Sequence, residues 1–129
     1  LEVTSGAIAT LLKEANLAAP RECCGLLLGR AGRILRAMPA ANVHPEPTRH
    51  FELDPAALIA ALRREREGGE EVLGYYHSHP NGAVAPSAED RASASGDGRV
   101  WAIVAAGAVT WWRDDEGGFE RLSLRLVEG

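Results

Sequence analysis

The sequence predicts an α/β (α+β) chain: a mixed β-sheet core flanked by helices. Short apolar runs bounded by glycine or proline recur along the 129 residues, as strands require. Between them lie segments with apolar residues at helical spacing, led by Thr, Ser or Asp where an N-cap belongs. The two signals are interspersed, and that arrangement packs helices onto a sheet.

Ile8, Leu11, Leu12 and Ala15 recur at helical spacing, with Thr4 or Ser5 as N-cap and Pro20 closing the region. CGLLLGR (24–30) and RILRAMPA (33–40) flank Ala31-Gly32 and read as a hairpin. NVHPEPTR (42–49) carries two prolines and reads as a crossing loop, followed by HFELD (50–54) as a short strand. Asp54 and Pro55 then open a helix as N-cap and N1, with Leu58, Ile59 and Leu62 as its apolar stripe and Gly68-Gly69 as its stop. EVLGYYHSH (71–79) is a strand that Pro80 ends, NGAVAP is a loop, and SAEDRASAS (87–95) begins a short helix. RVWAIVAAG (99–107) is apolar nearly throughout and reads as a central strand. AVTWWR (108–113) and FERLSLRLV (119–127) flank a DDEGG turn as the last strands.

Residues 1–129 are expected to form a single domain, 46% hydrophobic and 25% charged, with no disordered or repetitive segment. Fourteen Lys and Arg against 18 Asp and Glu give a formal charge of -4, and the basic residues are dispersed, so nucleic acid is not an expected partner. No apolar run reaches the roughly 20 residues of a membrane helix, and LEVTSGAIATLL lacks the basic start and cleavage pattern of a signal peptide. The two cysteines, Cys23 and Cys24, are adjacent and build neither a disulfide framework nor a zinc ribbon. A reducing, cytoplasmic location is expected.

Residues two apart on a strand share a face, so His77 and His79 present both imidazoles to one side, with Leu73 and Tyr75 behind them and Ser78 opposite. Imidazole is a common zinc ligand, although a lone H-x-H equally suits a hydrogen-bonded buried pair. Eleven residues on, Asp90 ends S-A-E-D, which is also a helix-capping sequence with Ser87 as cap. Both readings hold together, since a capped first turn fixes a carboxylate well. Two histidines and a carboxylate leave a fourth position open for water. Glu22, between Pro20 and a Cys-Cys-Gly turn, is a candidate base, or else a solvated strand-end carboxylate.

P-R-E-C-C-G (20–25), H-S-H-P (77–80), six residues, then S-A-E-D (87–90) together resemble the JAMM (MPN-plus) zinc metalloproteases, small standalone bacterial type. NVHPEPTRHFELDP (42–55) also looks like the segment such members carry between these motifs. The resemblance implies a JAMM/MPN-like fold, related to the cytidine-deaminase-like architecture. It implies that His77, His79 and Asp90 hold Zn²⁺. Glu22 would hold the fourth-position water and accept its proton, and Ser87 would help stabilise the oxyanion. The implied activity is peptidase or isopeptidase cleavage at the Gly-Gly C-terminus of a ubiquitin-like or sulfur-carrier protein. The short stretch between Pro80 and Ser87 leaves little room for the insertions with which eukaryotic members grip ubiquitin.

Other readings stand beside this one. A two-His-one-carboxylate oxygenase also uses H-x-H, but a cupin is all-β and takes further ligands from distant strands. A non-catalytic scaffold is the fate of family members that lost ligands; none is missing here. A DNA-repair-associated branch carries an H-N-H-P-like motif where this chain has Ser78. Cys23 and Cys24 read as core residues, His44 and His50 as surface residues near a possible substrate. One of Trp111 and Trp112 is expected in the core, and the other exposed as a docking surface.

Overall fold

The computed structural model describes residues 1–129. Three helices, α1 (Ser5–Ala18), α2 (Pro55–Arg66) and α3 (Ala88–Ser93), accompany eight strands. The strands are β1 (Glu2–Thr4), β2 (Cys24–Arg30), β3 (Arg33–Ala40), β4 (Glu71–Ser78), β5 (Val100–Ala105), β6 (Ala108–Asp115), β7 (Gly118–Leu122) and β8 (Arg125–Val127). They form one mixed sheet in the order β7-β6-β5-β4-β2-β3-β1-β8. β4 runs parallel to β5 and antiparallel to β2.

β7 and β8 lie at opposite edges of this sheet, yet only Ser123 and Leu124 separate them. Two residues span about 10 Å between the flanking Cα atoms. The sheet therefore curls until its edges nearly meet. The 119–127 segment, expected as one strand, is two, because the chain leaves one edge and joins the other beside β1. Leu1 and Arg125 hold that join, the Arg125 amide donating to the Leu1 carbonyl at 2.7 Å. β1 carries no turn signal in the sequence and is found only through this pairing.

Helix α1 packs on one face of the sheet. Leu11 and Ala7 meet Val3, Leu27, Ile34, Tyr76, Ala102 and Val104, all buried, in the main core. Each large apolar side chain buried there contributes roughly 1.5–3 kcal/mol. Thr4 is its N-cap, Oγ1 accepting from the Ala7 amide at 3.2 Å. Helix α2 covers the other face, where Ala61, Leu58 and Leu62 meet Leu26, Leu28, Val72 and Tyr75. Asp54 caps it as expected, accepting from the Ala56 amide at 3.0 Å, with Pro55 in the first turn.

One irregularity decides which side chains face α2. Opposite β2, Leu27 pairs with Gly74 but Leu28 pairs with Val72, so Leu73 is an extra residue in β4. A bulge shifts the alternation by one. Leu73 consequently packs on the α1 face with Tyr76, while Tyr75 joins Val72 on the α2 face. The expected alignment of Leu73 with the histidines is corrected, and that of Tyr75 holds. A side chain at Gly74 would collide with the Val100 carbonyl, its Cβ falling 1.9 Å from that oxygen.

The expected strand at 50–54 reduces to one bridge, Asn42 to Leu53. Two backbone hydrogen bonds make that bridge, from the Val43 amide to the Glu52 carbonyl and from the Asp54 amide to the Ala41 carbonyl, and the Asn42 side chain adds bonds to His50 and Glu52. The β2–β3 and β5–β6 hairpins turn through Ala31-Gly32 and Ala106-Gly107, each with both residues at positive φ (51° and 75°, 53° and 74°). Such turns match the twist of the strands they join. Trp111 is buried, and Trp112 is half-buried beneath Arg121 at 5.2 Å, so the expected exposed indole is not free. No helix is long and apolar enough to cross a membrane.

Candidate metal centre

His77 and His79 leave the C-terminal end of β4 on its α2 face, and α3 presents Asp90 to them. All three are buried. Asp90 is held by the expected capping box: the Ser87 amide donates to its Oδ2 at 2.9 Å, and its own amide donates to Ser87 Oγ at 3.0 Å. The cap and the candidate ligand are thus one feature.

The ligand atoms converge. His77 Nε2 lies 3.0 Å from His79 Nε2, and each lies 3.1 Å from Asp90 Oδ2. A tetrahedral ion with bonds near 2.0–2.1 Å sets its ligands about 3.3 Å apart, so the cluster is close to that spacing. The hydrogens point the same way. His79 Nδ1 donates to the Ala83 carbonyl at 2.8 Å, which leaves its Nε2 lone pair facing the other two atoms when the ring is neutral. A cation set among the three atoms would meet that lone pair and the Asp90 carboxylate at once. Donor set, spacing and burial fit a small divalent metal.

Electrostatics divide the three. Burial pushes the His77 pKa down more than Asp90 raises it. Burial also disfavours charge on His79, but hydrogen bonds to Asp90 and Ala83 outweigh it and raise its pKa. Asp90 resists burial through hydrogen bonds from both histidines and stays well below the usual carboxylate range.

Glu22 reaches the same place from just before β2, whose first residue, Cys24, pairs with His77. Its carboxyl lines, with His79, Ser87 and Asp90, a cavity of about 590 Å³ whose other walls include Phe51, Leu58, Tyr75 and Trp101. Its amide donates to the Pro47 carbonyl at 2.7 Å and its carbonyl accepts from Asn42 Nδ2 at 2.9 Å. Ser78, on the opposite face from the histidines as expected, accepts from the Cys23 amide at 2.8 Å and so pins the next residue to β4. Glu22 is 9% exposed and has no ion-pair partner; burial raises its pKa to about 7. A carboxyl so placed is largely withdrawn from water, unlike a solvated strand-end Glu.

The structure thus brings together all five residues singled out from sequence: Glu22, His77, His79, Ser87 and Asp90. Sequence reasoning missed Asn42, Ser78 and Phe51. Only the alternation rule touched any of them, by turning Ser78 away from the histidines. Both cysteines are free and burial pushes their thiols up, Cys24 to about 12; Cys24 is buried in the core and Cys23, half-buried, stands at the entry to β2.

A curled sheet with one helix on each face, carrying a His-His-Asp cluster over an unpaired glutamate, defines the JAMM-type metallopeptidases, hydrolases on the JAB/MPN fold. Residues 4–115 match the prokaryotic homologs of the JAB domain, and the chain belongs to that family. A desampylase from Haloferax volcanii is 38% identical over 112 residues, covering 83% of this chain and 79% of that protein. A probable TtuB-protein conjugate cleaving protease from Thermus thermophilus is 43% identical over 82 residues, 64% of this chain and 52% of that protein, about half its length. The solution structure of a protein from Desulfitobacterium hafniense superposes with a TM-score of 0.85 at 28% identity, covering 99% of this chain and 93% of that one.

Proposed function

We propose that this chain is a zinc-dependent peptidase or isopeptidase that hydrolyses the amide bond at the Gly-Gly C-terminus of a ubiquitin-like or sulfur-carrier protein. The observation that carries the reading is the convergence of three buried ligand atoms beside an unpaired glutamate in one cavity. Similarity to a desampylase and to a probable conjugate cleaving protease supports a protein conjugate as substrate.

His77, His79 and Asp90 would hold the metal. Zinc, when bound, lowers the pKa of a coordinated water to about 7 and polarises a carbonyl. Glu22 accepts a proton from the attacking water and hands it to the departing amine, work worth roughly 10²–10⁴-fold. Its pKa near 7 suits both halves of that transfer. Ser87 Oγ is engaged as acceptor by the Asp90 amide, so its own hydrogen is free to donate to the oxygen that gains charge in the transition state. A Gly-Gly tail brings no side chain into the cavity, which suits an approach between Glu22 and α3.

The reading is tested by elemental analysis and by incubating the protein with carriers extended beyond Gly-Gly, either by a C-terminal residue or by a lysine-linked protein. One zinc per chain and a product mass ending at Gly-Gly are expected. A protein that takes up no zinc, or that cuts elsewhere than after Gly-Gly, overturns it.

A further inference from the structure

A histidine that binds metal is ordinarily oriented by a hydrogen bond from its second ring nitrogen. His79 follows the rule through Ala83. His77 does not: its Nδ1 is buried and has no hydrogen-bond partner. Its ring is held by aromatic packing instead. Phe51 stacks on one face, centroids 4.3 Å apart and planes 18° from parallel, and Trp101 meets it edge-on at 5.9 Å. Trp101 is fixed by its place on β5, but Phe51 lies on a segment with neither helix nor strand.

Backbone hydrogen bonds tie its ends, from the Val43 amide to the Glu52 carbonyl at 2.9 Å and from the His50 amide to the Glu46 carbonyl at 3.0 Å, and the Asn42 side chain brackets Phe51 itself. Its Nδ2 donates to the carbonyl of His50 at 3.0 Å, and its Oδ1 accepts from the amide of Glu52 at 3.0 Å: the two neighbours of Phe51. Oδ1 also accepts from the His44 amide at 3.1 Å, and Nδ2 also donates to the Glu22 carbonyl at 2.9 Å. Both donors and both acceptor sites of the amide are used, so neither Asp nor Ser can replace it in full. One side chain therefore joins the residue carrying the base to the residue packed on the ligand.

We infer that Phe51 and Asn42 are positioning residues of the centre: Phe51 orients the His77 ring by stacking where a hydrogen bond is absent, and Asn42 sets Phe51 and Glu22 relative to each other. The inference rests on the metallopeptidase reading above.

The test compares wild type, Phe51→Leu, Phe51→Tyr and Asn42→Asp. Zinc affinity is measured by chelator competition, His77 ring-nitrogen NMR is recorded on metal-free protein, and kcat and KM are determined on a Gly-Gly conjugate. Phe51→Leu is expected to weaken zinc binding about 10–100-fold and to replace one His77 ring state by an average, and Phe51→Tyr, which keeps the ring, to restore both. Asn42→Asp keeps the two bonds to Oδ1 and loses both donors. It is expected to lower kcat about tenfold or more with KM little changed, as a displaced base would. Should it fail to fold by thermal melting, Asn42→Ser takes its place with the same expectation. Wild-type zinc affinity and ring spectrum in Phe51→Leu overturn the role of Phe51, and wild-type kcat in the folded Asn42 variant overturns that of Asn42. Wild-type protein that binds no zinc overturns the proposed function, and this inference with it.

Discussion

Two His-His-carboxylate sets occur in this molecule, and α3 supplies one residue to each: Asp90 to His77 and His79, Glu89 to His44 and His50. Residue types and spacing are alike, for within each set the ligand atoms lie within 4.8 Å of one another. Everything else differs. The first set is buried; in the second the side chains of His50 and Glu89 are 32% and 50% exposed. In the first, Ala83 fixes the His79 hydrogen on Nδ1 and turns a lone pair inward. In the second, His44 Nδ1 is occupied as acceptor by the Glu46 amide at 2.9 Å, so the neutral ring keeps its hydrogen on Nε2 and offers no lone pair. His50 lies between Glu46 and Glu89, its Nε2 3.5 Å from the Glu46 carboxylate and its Nδ1 against that of Glu89. The second set is tied to its own loop through the Glu46 amide, whereas the atoms of the first converge on one point with a single outside partner on His79. Placement of ring hydrogens and exclusion of water, more than composition, separate the candidate metal centre from the exposed cluster.

The sharpest way to break this contrast is Asp90→Asn, which keeps an acceptor for the helix cap while removing the anionic ligand. Zinc content should fall well below one per chain, and conjugate cleavage by about 10³-fold or more. Full zinc would reduce Asp90 to a cap. Next in size, Glu22→Gln should retain zinc by elemental analysis and lose roughly 10²–10⁴-fold in kcat; unchanged turnover removes Glu22 from the chemistry.

A smaller effect concerns stability. Burial raises the Glu22 pKa to about 7 from an ordinary 4.5, so the folded state favours the protonated form. That contribution is complete below pH 4.5 and is lost as pH rises through 7. Metal-free Glu22→Gln should thus melt a few degrees above metal-free wild type at pH 8 and close to it at pH 4. Equal melting curves at both values would mean that Glu22 is not held in a desolvated place. Smallest of all, Glu89→Gln should leave zinc stoichiometry at one per chain; a wild type with two zincs and a variant with one would erase the distinction between the sets.

What the sequence disclosed follows from how locally it is encoded. Asp54-Pro55, Ser87-Asp90 and the His77–His79 alternation each depend on a few adjacent residues, and each is found as expected. Glu22 stood out between Pro20 and a Cys-Cys-Gly turn but could equally be a solvated strand-end carboxylate, since 55 residues separate it from His77 and a fold must join them; only the family resemblance assigned it a role. The Leu73 bulge escaped because alternation assumes an unbroken ladder, and its register is set by β2 across the sheet. The three-residue β1 and β8 carry too little pattern to announce themselves; β1 becomes a strand between β3 and β8, and β8 by pairing with β1. Asn42 and Phe51 sit in a proline-rich segment where no period applies, and their partners become neighbours only after folding.

The two Ala-Gly hairpin turns lie at opposite poles of the sheet. Ala106-Gly107 follows β5 at the end where His79 emerges, its predecessor Val104 accepting the His79 amide at 2.9 Å. Ala31-Gly32 lies at the far end, where the Ala31 amide donates to the Glu71 carboxylate at 2.8 Å. Alanine held in the left-handed region costs roughly 1–2 kcal/mol, a cost that glycine escapes and asparagine lessens. Position 31 is therefore a reserve of stability remote from the chemistry, open to an engineer or to drift. Relief at position 106 would act on the turn beside the strand that carries His77, so there a gain in robustness would reach the candidate metal centre.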